Sequence, residues 1–201
     1  MSAPLQIGVT GGIGSGKSVV CELFSCLGIA VYNADSRAKW LTNYHEGIRR
    51  EVTGLLGPAA YNSEGKYDTA FVASVVFKDE ALLRKLNAII HPVVQEDTAH
   101  WVARHSGDAY VIKEAAIMKA AGDGNTLDFV IVVEAPASLR VARILKRDSR
   151  SEQEIRAIID RQVSDEVRSE IADFIITNDE NAALIPQVVQ LHQQFLARSK
   201  S

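Results

Sequence analysis

The sequence predicts an α/β fold: a doubly wound, parallel, five-stranded sheet with a helical insertion and a helical lid. Short apolar runs rich in β-branched residues alternate with segments whose apolar residues recur at helical spacing, which is typical of a parallel sheet covered on both faces. The helical stretch 36–105 is too long for a simple crossover and indicates an insertion. The chain has 201 residues, of which 47% are hydrophobic, enough to bury such a core.

Five apolar runs predict the strands, and helical spacing predicts the segments between them. The predicted strands are residues 5–10, 29–32, 109–112, 128–133 and 174–177. The predicted helices outside the insertion are 18–27, 136–147, one beginning at Ser151 with a capping box to Glu154, and 181–198. Inside the insertion, Pro92 is expected to interrupt the helical pattern and to open a new helix at its first position.

These elements predict a sheet-forming core and one helical insertion, residues 36–105. The first strand, helix and second strand form a β-α-β unit, so their strands should be parallel with a right-handed crossover.

Composition and charge exclude several classes of protein. The 22 basic and 25 acidic residues give a net charge of −3, which argues against a nucleic-acid partner. The N-terminus lacks a basic region followed by an apolar stretch, and the longest apolar run, 129–133, is too short to span a bilayer. Cys21 and Cys26 lie five positions apart on one predicted helix, which turns them roughly 140° away from each other and disfavours a disulfide. We therefore expect a soluble, cytoplasmic protein without a membrane partner, as a monomer or weak homo-oligomer.

A phosphate-binding loop is the strongest motif. Residues 11–18, GGIGSGKS, fit the pattern G-x-x-x-x-G-K-[ST] between a predicted strand and a predicted helix. Glycines let backbone N–H groups surround phosphates, the helix N-terminus favours the same anion, Lys17 should reach the β- and γ-phosphates, and Ser18 should hold Mg²⁺. The predicted ATP-binding residues are Gly12, Ile13, Gly14, Ser15, Gly16, Lys17, Ser18 and Val19.

A dinucleotide-binding turn is the main structural rival. Gly12 and Gly14 follow a strand, and Asp35 lies about twenty residues further on, where a ribose-binding acid would sit. The third glycine, however, falls one position early at Gly16, and a lysine occupies the position where that fold needs a glycine. The pattern therefore favours a polyphosphate over a dinucleotide.

The absence of other nucleotide motifs favours a small-molecule kinase. No aspartate is followed by glycine three positions later and there is no Asn-Lys dipeptide, which argues against a GTPase. Asp35 follows the second predicted strand, at the sheet edge that faces the ligand in open α/β folds, where a carboxylate can deprotonate an attacking hydroxyl. Alone, it is equally well explained as the N-cap of a helix beginning at Ser36.

A basic cluster supplies a candidate cover for the phosphates. It comprises Arg140, Arg143, Lys146, Arg147 and Arg150. The spacing places Arg140, Arg143 and Arg147 on one helical face, and guanidinium groups match phosphate oxygens. An ordinary solvated face is the alternative explanation.

With these residues the chain resembles the dephospho-CoA kinase family, whose members phosphorylate the ribose 3′-hydroxyl of dephospho-CoA with ATP. The resemblance covers nearly the whole chain. It is carried by residues 8–18, Asn33-Ala34-Asp35, 86–92 ending in His91-Pro92, 143–148 and 171–178. It implies the P-loop NTP hydrolase type of fold in three parts: a nucleotide-binding core of residues 1–35, 106–138 and 166–201, a helical substrate domain of residues 36–105 and a lid of residues 139–165. It also implies ATP and Mg²⁺ as cofactors and dephospho-CoA as the small-molecule partner.

The resemblance also implies roles for individual residues. Asp35 becomes the catalytic base, Lys17, Arg143 and Arg147 become catalytic contacts to the ATP phosphates, and His91 becomes a substrate-domain residue. A packing role for His91 at a helix start is an equal alternative.

The chain departs from the family pattern at two places. Asn33 replaces the first acid of an Asp-Ala-Asp motif, and Glu114-Ala115-Ala116-Ile117-Met118 stands where many members have Pro-Leu-Leu. Glu114 is accordingly a candidate substrate contact, a contact to metal-bound water, or a solvated strand-end acid. A kinase for another small hydroxyl substrate and a non-catalytic ATP-binding protein remain as alternative functions.

Overall fold

The computed structural model describes residues 3–200; residues 1, 2 and 201, which the predicted core ranges include, lie outside the described part. The described residues form two compact units, here called the core unit (3–33 and 102–200) and the helical unit (34–101). The strands are β1 Leu5–Thr10, β2 Val31–Asn33, β3 Tyr110–Glu114, β4 Phe129–Glu134 and β5 Phe174–Thr177. The helices are α1 Lys17–Cys26, α2 Ala34–Tyr44, α3 Glu46–Leu56, α4 Thr69–Val76, α5 Glu80–Arg104, α6 Ala137–Arg147, α7 Glu152–Arg161, α8 Asp165–Glu170 and α9 Leu184–Arg198.

The five strands form one parallel sheet in the order β2-β3-β1-β4-β5. β1 lies at its centre, so the residues after Thr10 leave the sheet between the ends of β3 and β4. Ile7, Val9, Ile112 and Ile131 are fully buried, as a strand covered on both faces requires. The predicted fold class is confirmed.

Helices α1 and α9 cover the sheet with apolar side chains. Phe24 of α1 and Phe195 of α9 are fully buried and belong to the same cluster as the strand residues. Tyr110 of β3 contacts both rings, and its hydroxyl lies 2.7 Å from His192 Nδ1. The sheet and its two flanking helices thereby form one rigid support for the loops at the carboxyl ends of the strands.

Helix α9 begins three residues later than its apolar pattern predicts. The carboxylate of Asp179 accepts hydrogen bonds from the backbone N–H groups of Asn181 and Ala182 at 3.0 and 2.9 Å. Such an Asx-type turn holds the backbone in a non-helical arrangement. The helix therefore begins at Leu184 instead of residue 181.

The helical unit has its own apolar core, contributed by Leu41, Ile48, Val52, Val72 and Leu86. Within this unit Arg37 of α2 forms a bidentate ion pair with Asp97 of α5, with both N···O distances at 2.7 Å. The unit thus holds together through burial of helix faces and one well-formed pair between its first and last helices.

Pro92 does not interrupt a helix, so that prediction was wrong. It is exposed and lies inside α5, which runs without a break from Glu80 to Arg104. Proline removes one helical hydrogen bond, but Ile89, Ile90, Val93 and Val94 on either side of it all pack into the core of the helical unit. Burial of these side chains compensates for the missing bond and carries the helix through.

Among residues 3–200, none of the helices combines the length and the apolar character needed to cross a bilayer.

Candidate active site

The predicted phosphate-binding loop lies between β1 and α1. Gly16, the last residue before α1, has a φ of 98°, in the left-handed region that favours glycine. Helix α1 has no acidic residue in its first turn, and the first N–H groups of a helix have no acceptor within it. The loop and helix therefore present backbone donors and a positive helix end, which is the arrangement that binds phosphate.

Lys17 lies across this loop. Its Nζ donates to the carbonyl oxygen of Gly11 at 2.8 Å and lies 3.4 Å from that of Gly12. The ammonium group is thus held at the mouth of the loop, where it can neutralise phosphate charge. Ser18 and Val19 are exposed in the first turn of α1, and Ser18 places a hydroxyl at the helix N-terminus.

Ser15 adds a further indication that the loop is built for an anion. Its side chain is fully buried, and its Oγ has no hydrogen-bond partner among the described residues. A buried hydroxyl without a partner costs free energy on the order of 1–3 kcal/mol, so such groups are concentrated at functional sites. The residues of the loop fit a nucleoside triphosphate. Within residues 3–200 no three His, Cys, Asp or Glu side chains cluster to hold a metal ion. The Ser18 hydroxyl is the oxygen ligand that the loop offers to Mg²⁺.

Helical spacing predicted that Arg140 belongs to an exposed cover over the phosphates. Instead, Arg140 is buried and lies against the loop. Its side chain is 3% exposed, and its Nη1 donates to Asp165 Oδ1 at 2.8 Å. A Cβ added to Gly12 would lie 2.5 Å from the same Nη1, so Gly12 leaves the room that this guanidinium occupies. The three arginines of the predicted face therefore differ: Arg140 is buried, Arg143 is partly buried, and Arg147 is 64% exposed.

Arg143 is joined to the loop through Asn178, which follows β5. Arg143 Nη2 lies 3.2 Å from the backbone oxygen and 3.1 Å from the Oδ1 of Asn178, whose Nδ2 donates to the carbonyl of Ser15 at 2.8 Å. The Nη1 of Arg143 is buried and has no hydrogen-bond partner among the described residues. Arg143 thus carries an unused donor next to the loop, whereas Arg147 pairs with Asp148 at 4.0 Å.

Glu114 is the last residue of β3 and lies opposite Val9 of β1, the strand that leads into the loop. Asn33 Nδ2 donates to Glu114 Oε2 at 2.6 Å, and the two residues are opposite each other in the β2–β3 register. The pairing is favourable because an amide donor faces the carboxylate where a second acid would repel it. An aspartate at position 33 would instead place two like charges at this point of the sheet.

Cys21 reports on the charges around it. Burial raises the pKa of its thiol, Glu114 raises this pKa further, and Lys17 opposes the increase. Both Glu114 and Lys17 thus act electrostatically on the buried thiol of α1. The thiol stays protonated at neutral pH and is not a nucleophile.

Asp35 and His91 belong to the helical unit. Asp35 is exposed in the first turn of α2, which begins at Ala34, so Asp35 lies inside the helix and not at the capping position before Ser36. An acid in the first turn is favoured by the helix dipole. His91 is exposed in α5, inside the helix and not at a helix start. The catalytic role of Asp35 and the substrate role of His91 stay predictions.

Two residues that hold the loop, Asn178 and Gln162, have no role that a sequence motif predicts. In the sequence, Asn178 appears only within a motif, yet it connects Ser15 to Arg143, and its position at the carboxyl end of β5 is the signal that could have found it. Gln162 was not identified at all, although its Oε1 accepts from the N–H of Ile13 at 2.9 Å. No local pattern marks Gln162, because its partner lies 149 residues away.

Comparisons with known proteins cover most of the chain. Residues 5–183 match the family model described as dephospho-CoA kinase. A dephospho-CoA kinase of Porphyromonas gingivalis is 38% identical over 191 residues, covering 93% of this chain and 92% of that protein. One from Bacteroides fragilis is 37% identical over 187 residues, covering 93% and 91%.

Solved structures agree with the fold. The protein TT1252 of Thermus thermophilus superposes with a TM-score of 0.83 at 28% identity, covering 98% of each chain. A dephospho-CoA kinase of Campylobacter jejuni superposes with a TM-score of 0.61 at 23% identity over 96% and 98% of the chains, a likeness of fold. Since the family model spans most of the sequence, from β1 with its phosphate-binding loop through β5, the chain belongs to the dephospho-CoA kinase family.

Proposed function

We propose that this protein transfers the γ-phosphoryl group of ATP to the ribose 3′-hydroxyl of dephospho-CoA, giving coenzyme A and ADP. The observation that carries the proposal is the phosphate-binding loop with Lys17 at its mouth, in a chain whose residues 5–183 match this family. In the transfer, the ribose oxygen forms a bond to the γ-phosphorus as the bond to the β–γ bridging oxygen breaks.

The loop residues bind ATP and hold its phosphates in line for transfer. The N–H groups of 14–18 surround the β- and γ-phosphates, and Lys17 neutralises the charge that develops on the leaving oxygen. The buried hydroxyl of Ser15, which has no partner among the described residues, supports binding of a polar ligand here. Mg²⁺, bound to phosphate oxygens and the Ser18 hydroxyl, would supply further neutralisation of phosphate charge.

Asp35 is proposed as the base that accepts the proton of the ribose hydroxyl. Its exposure, and its place two residues after the carboxyl end of β2, support this role. Glu114 and His91 are proposed to contact dephospho-CoA. For Glu114 the support is the hydrogen bond from Asn33, which fixes the orientation of the carboxylate.

Arg143 and Arg147 are proposed to contact the ATP phosphates. The buried, unused Nη1 of Arg143 and the exposure of Arg147 support this assignment. In this proposal residues 139–165 act as the lid, residues 36–105 hold the substrate, and the remaining residues bind the nucleotide. Closure of the lid would exclude water and so protect ATP from hydrolysis. We further propose that the protein acts in the cytoplasm, as a monomer or weak homo-oligomer.

The test is an ADP-release assay with dephospho-CoA as acceptor. ADP should form only when acceptor is present, and phosphorus NMR of the product should place the new phosphate on the 3′-oxygen. Nucleosides and shikimate serve as competing acceptors. Faster ADP release with one of these than with dephospho-CoA would reject the proposed substrate, and release without any acceptor would reject transfer to an alcohol.

Two variants test the assigned roles. Asp35→Asn should retain ATP affinity and reduce kcat by about 10²–10⁴-fold, the usual contribution of a general base. Asp108→Asn, at another exposed aspartate, is the matched control and should leave kcat unchanged. Lys17→Ala should weaken ATP binding and lower kcat together. An unchanged kcat in Asp35→Asn would remove Asp35 from the base role.

A further inference from the structure

A contact from a distant part of the chain holds the tip of the phosphate-binding loop. The backbone N–H of Ile13 donates to Oε1 of Gln162 at 2.9 Å. Gln162 is the residue directly after α7, and its own N–H donates to the carbonyl of Ile159. The amide side chain therefore projects from a helix terminus whose backbone is already ordered.

The side chain of Ile13 is held by the same part of the molecule. It packs against a cluster in which Val141 and Ile144 of α6 and Ile155 of α7 are buried, together with Ile159. The loop tip is thus fixed twice, by burial of its side chain and by the hydrogen bond from its N–H. Because α6 and α7 supply the apolar cluster and the hydrogen-bond acceptor directly follows α7, these helices and the loop order one another.

Gln162 is supported from its C-terminal side as well. Arg168 is buried, and its guanidinium donates to the carbonyl of Val163 and to Asp165 Oδ1, both at 2.6 Å. Asp165 also accepts from the buried Arg140 at 2.8 Å. The residues directly after Gln162 are therefore tied to α6, which fixes the backbone from which the amide projects.

We propose that Gln162 is a positioning residue for nucleotide phosphate binding. By accepting the N–H of Ile13 from outside the loop, it sets the turn around residues 12–14 before a phosphate binds, so the loop loses less conformational freedom on binding. Glutamine suits this role because its Oε1 accepts a hydrogen bond without adding negative charge near an anion. The proposal rests only on the ATP-binding part of the proposed function.

Binding of ADP, measured by calorimetry, tests this proposal without an acceptor substrate. Gln162→Met removes the acceptor at similar volume and should raise the Kd for ADP about 3- to 10-fold, the effect of one lost hydrogen bond. Gln162→Glu keeps an acceptor but adds a negative charge, and should raise the Kd at least as much in low salt. Gln153→Met, at an exposed glutamine on the same helix, is the control and should leave the Kd unchanged.

A structural role alone predicts a different result. If Gln162→Met lowers the melting temperature but binds ADP as the native protein does, Gln162 stabilises α7 and does not position the loop. An equal rise in Kd for Gln153→Met would also overturn the proposal.

Amide exchange of the native protein gives a second test that does not depend on a variant folding. In nucleotide-free protein the Ile13 amide should exchange slowly, because its hydrogen bond is already made. Rapid exchange of this amide would contradict pre-positioning by Gln162. Since neither measurement uses dephospho-CoA, failure of that compound as an acceptor would leave both results interpretable.

Discussion

Asp165 is the shared partner of two buried arginines, and changing it to asparagine tests how the phosphate-binding loop is supported. Its Oδ1 lies 2.8 Å from Arg140 Nη1 and 2.6 Å from Arg168 Nη1. The arginine side chains are 3% and 7% exposed, so neither can exchange its lost partner for bulk water. Asp165→Asn removes the negative charge and keeps the shape of the side chain.

The expected cost follows from the burial of each partner. Removing one member of a fully buried ion pair costs about 3–5 kcal/mol, because the other charge is left uncompensated. Asp165 is 52% exposed, so water already screens part of its attraction. We therefore expect a loss of about 2 kcal/mol in the free energy of unfolding. For a chain of this size that corresponds to a fall of about 4–8 °C in melting temperature.

Thermal unfolding followed by circular dichroism, with Glu170→Gln as the control, measures this loss. Glu170 is exposed in the same short helix as Asp165, and its change removes the same charge. The control should shift the melting temperature by no more than about 1–2 °C, as expected of a surface substitution. Equal shifts in the two variants would show that the buried arginines do not depend on Asp165, and the account of the loop support would be wrong.

Three further predictions concern the phosphate-binding loop and α7. Gly16→Ala should lower the melting temperature and raise the Kd for ADP, since alanine at positive φ costs about 1 kcal/mol and its Cβ would collide with Nδ2 of Asn178. Asn178→Ala should raise the Kd for ADP several-fold, because Arg143 loses its side-chain partner; an unchanged Kd would contradict this. Hydrogen bonds from Ser151 lower the pKa of Glu154. The capping box should therefore stabilise α7 fully at pH values above the ordinary carboxyl pKa. This stabilisation should be lost as the pH falls through the lowered pKa of Glu154. The melting temperature of the native protein should therefore exceed that of Glu154→Ala at pH 7, and the difference should shrink as the pH falls below the ordinary carboxyl pKa.

Local patterns in the sequence were sufficient to locate the five strands and the phosphate-binding loop. The run of β-branched residues at 174–177 predicted the bounds of β5, and the capping box at Ser151 predicted the start of α7. The loop motif predicted where Lys17 would lie because the pattern itself encodes a strand, a turn and a helix N-terminus. Each of these features depends on residues close together in the chain, whose backbone preferences act independently of the rest of the fold.

Tertiary structure decided which side chains support the loop. The spacing of Arg140, Arg143 and Arg147 predicts one common face, yet packing of α6 against the loop buries the first, partly buries the second and leaves the third exposed. The contact between Gln162 and Ile13 joins residues 149 positions apart. Helical periodicity indicates which residues share a face, but only the packing of that helix fixes which of them lose water and which partners they meet, because burial depends on neighbours brought from elsewhere in the chain.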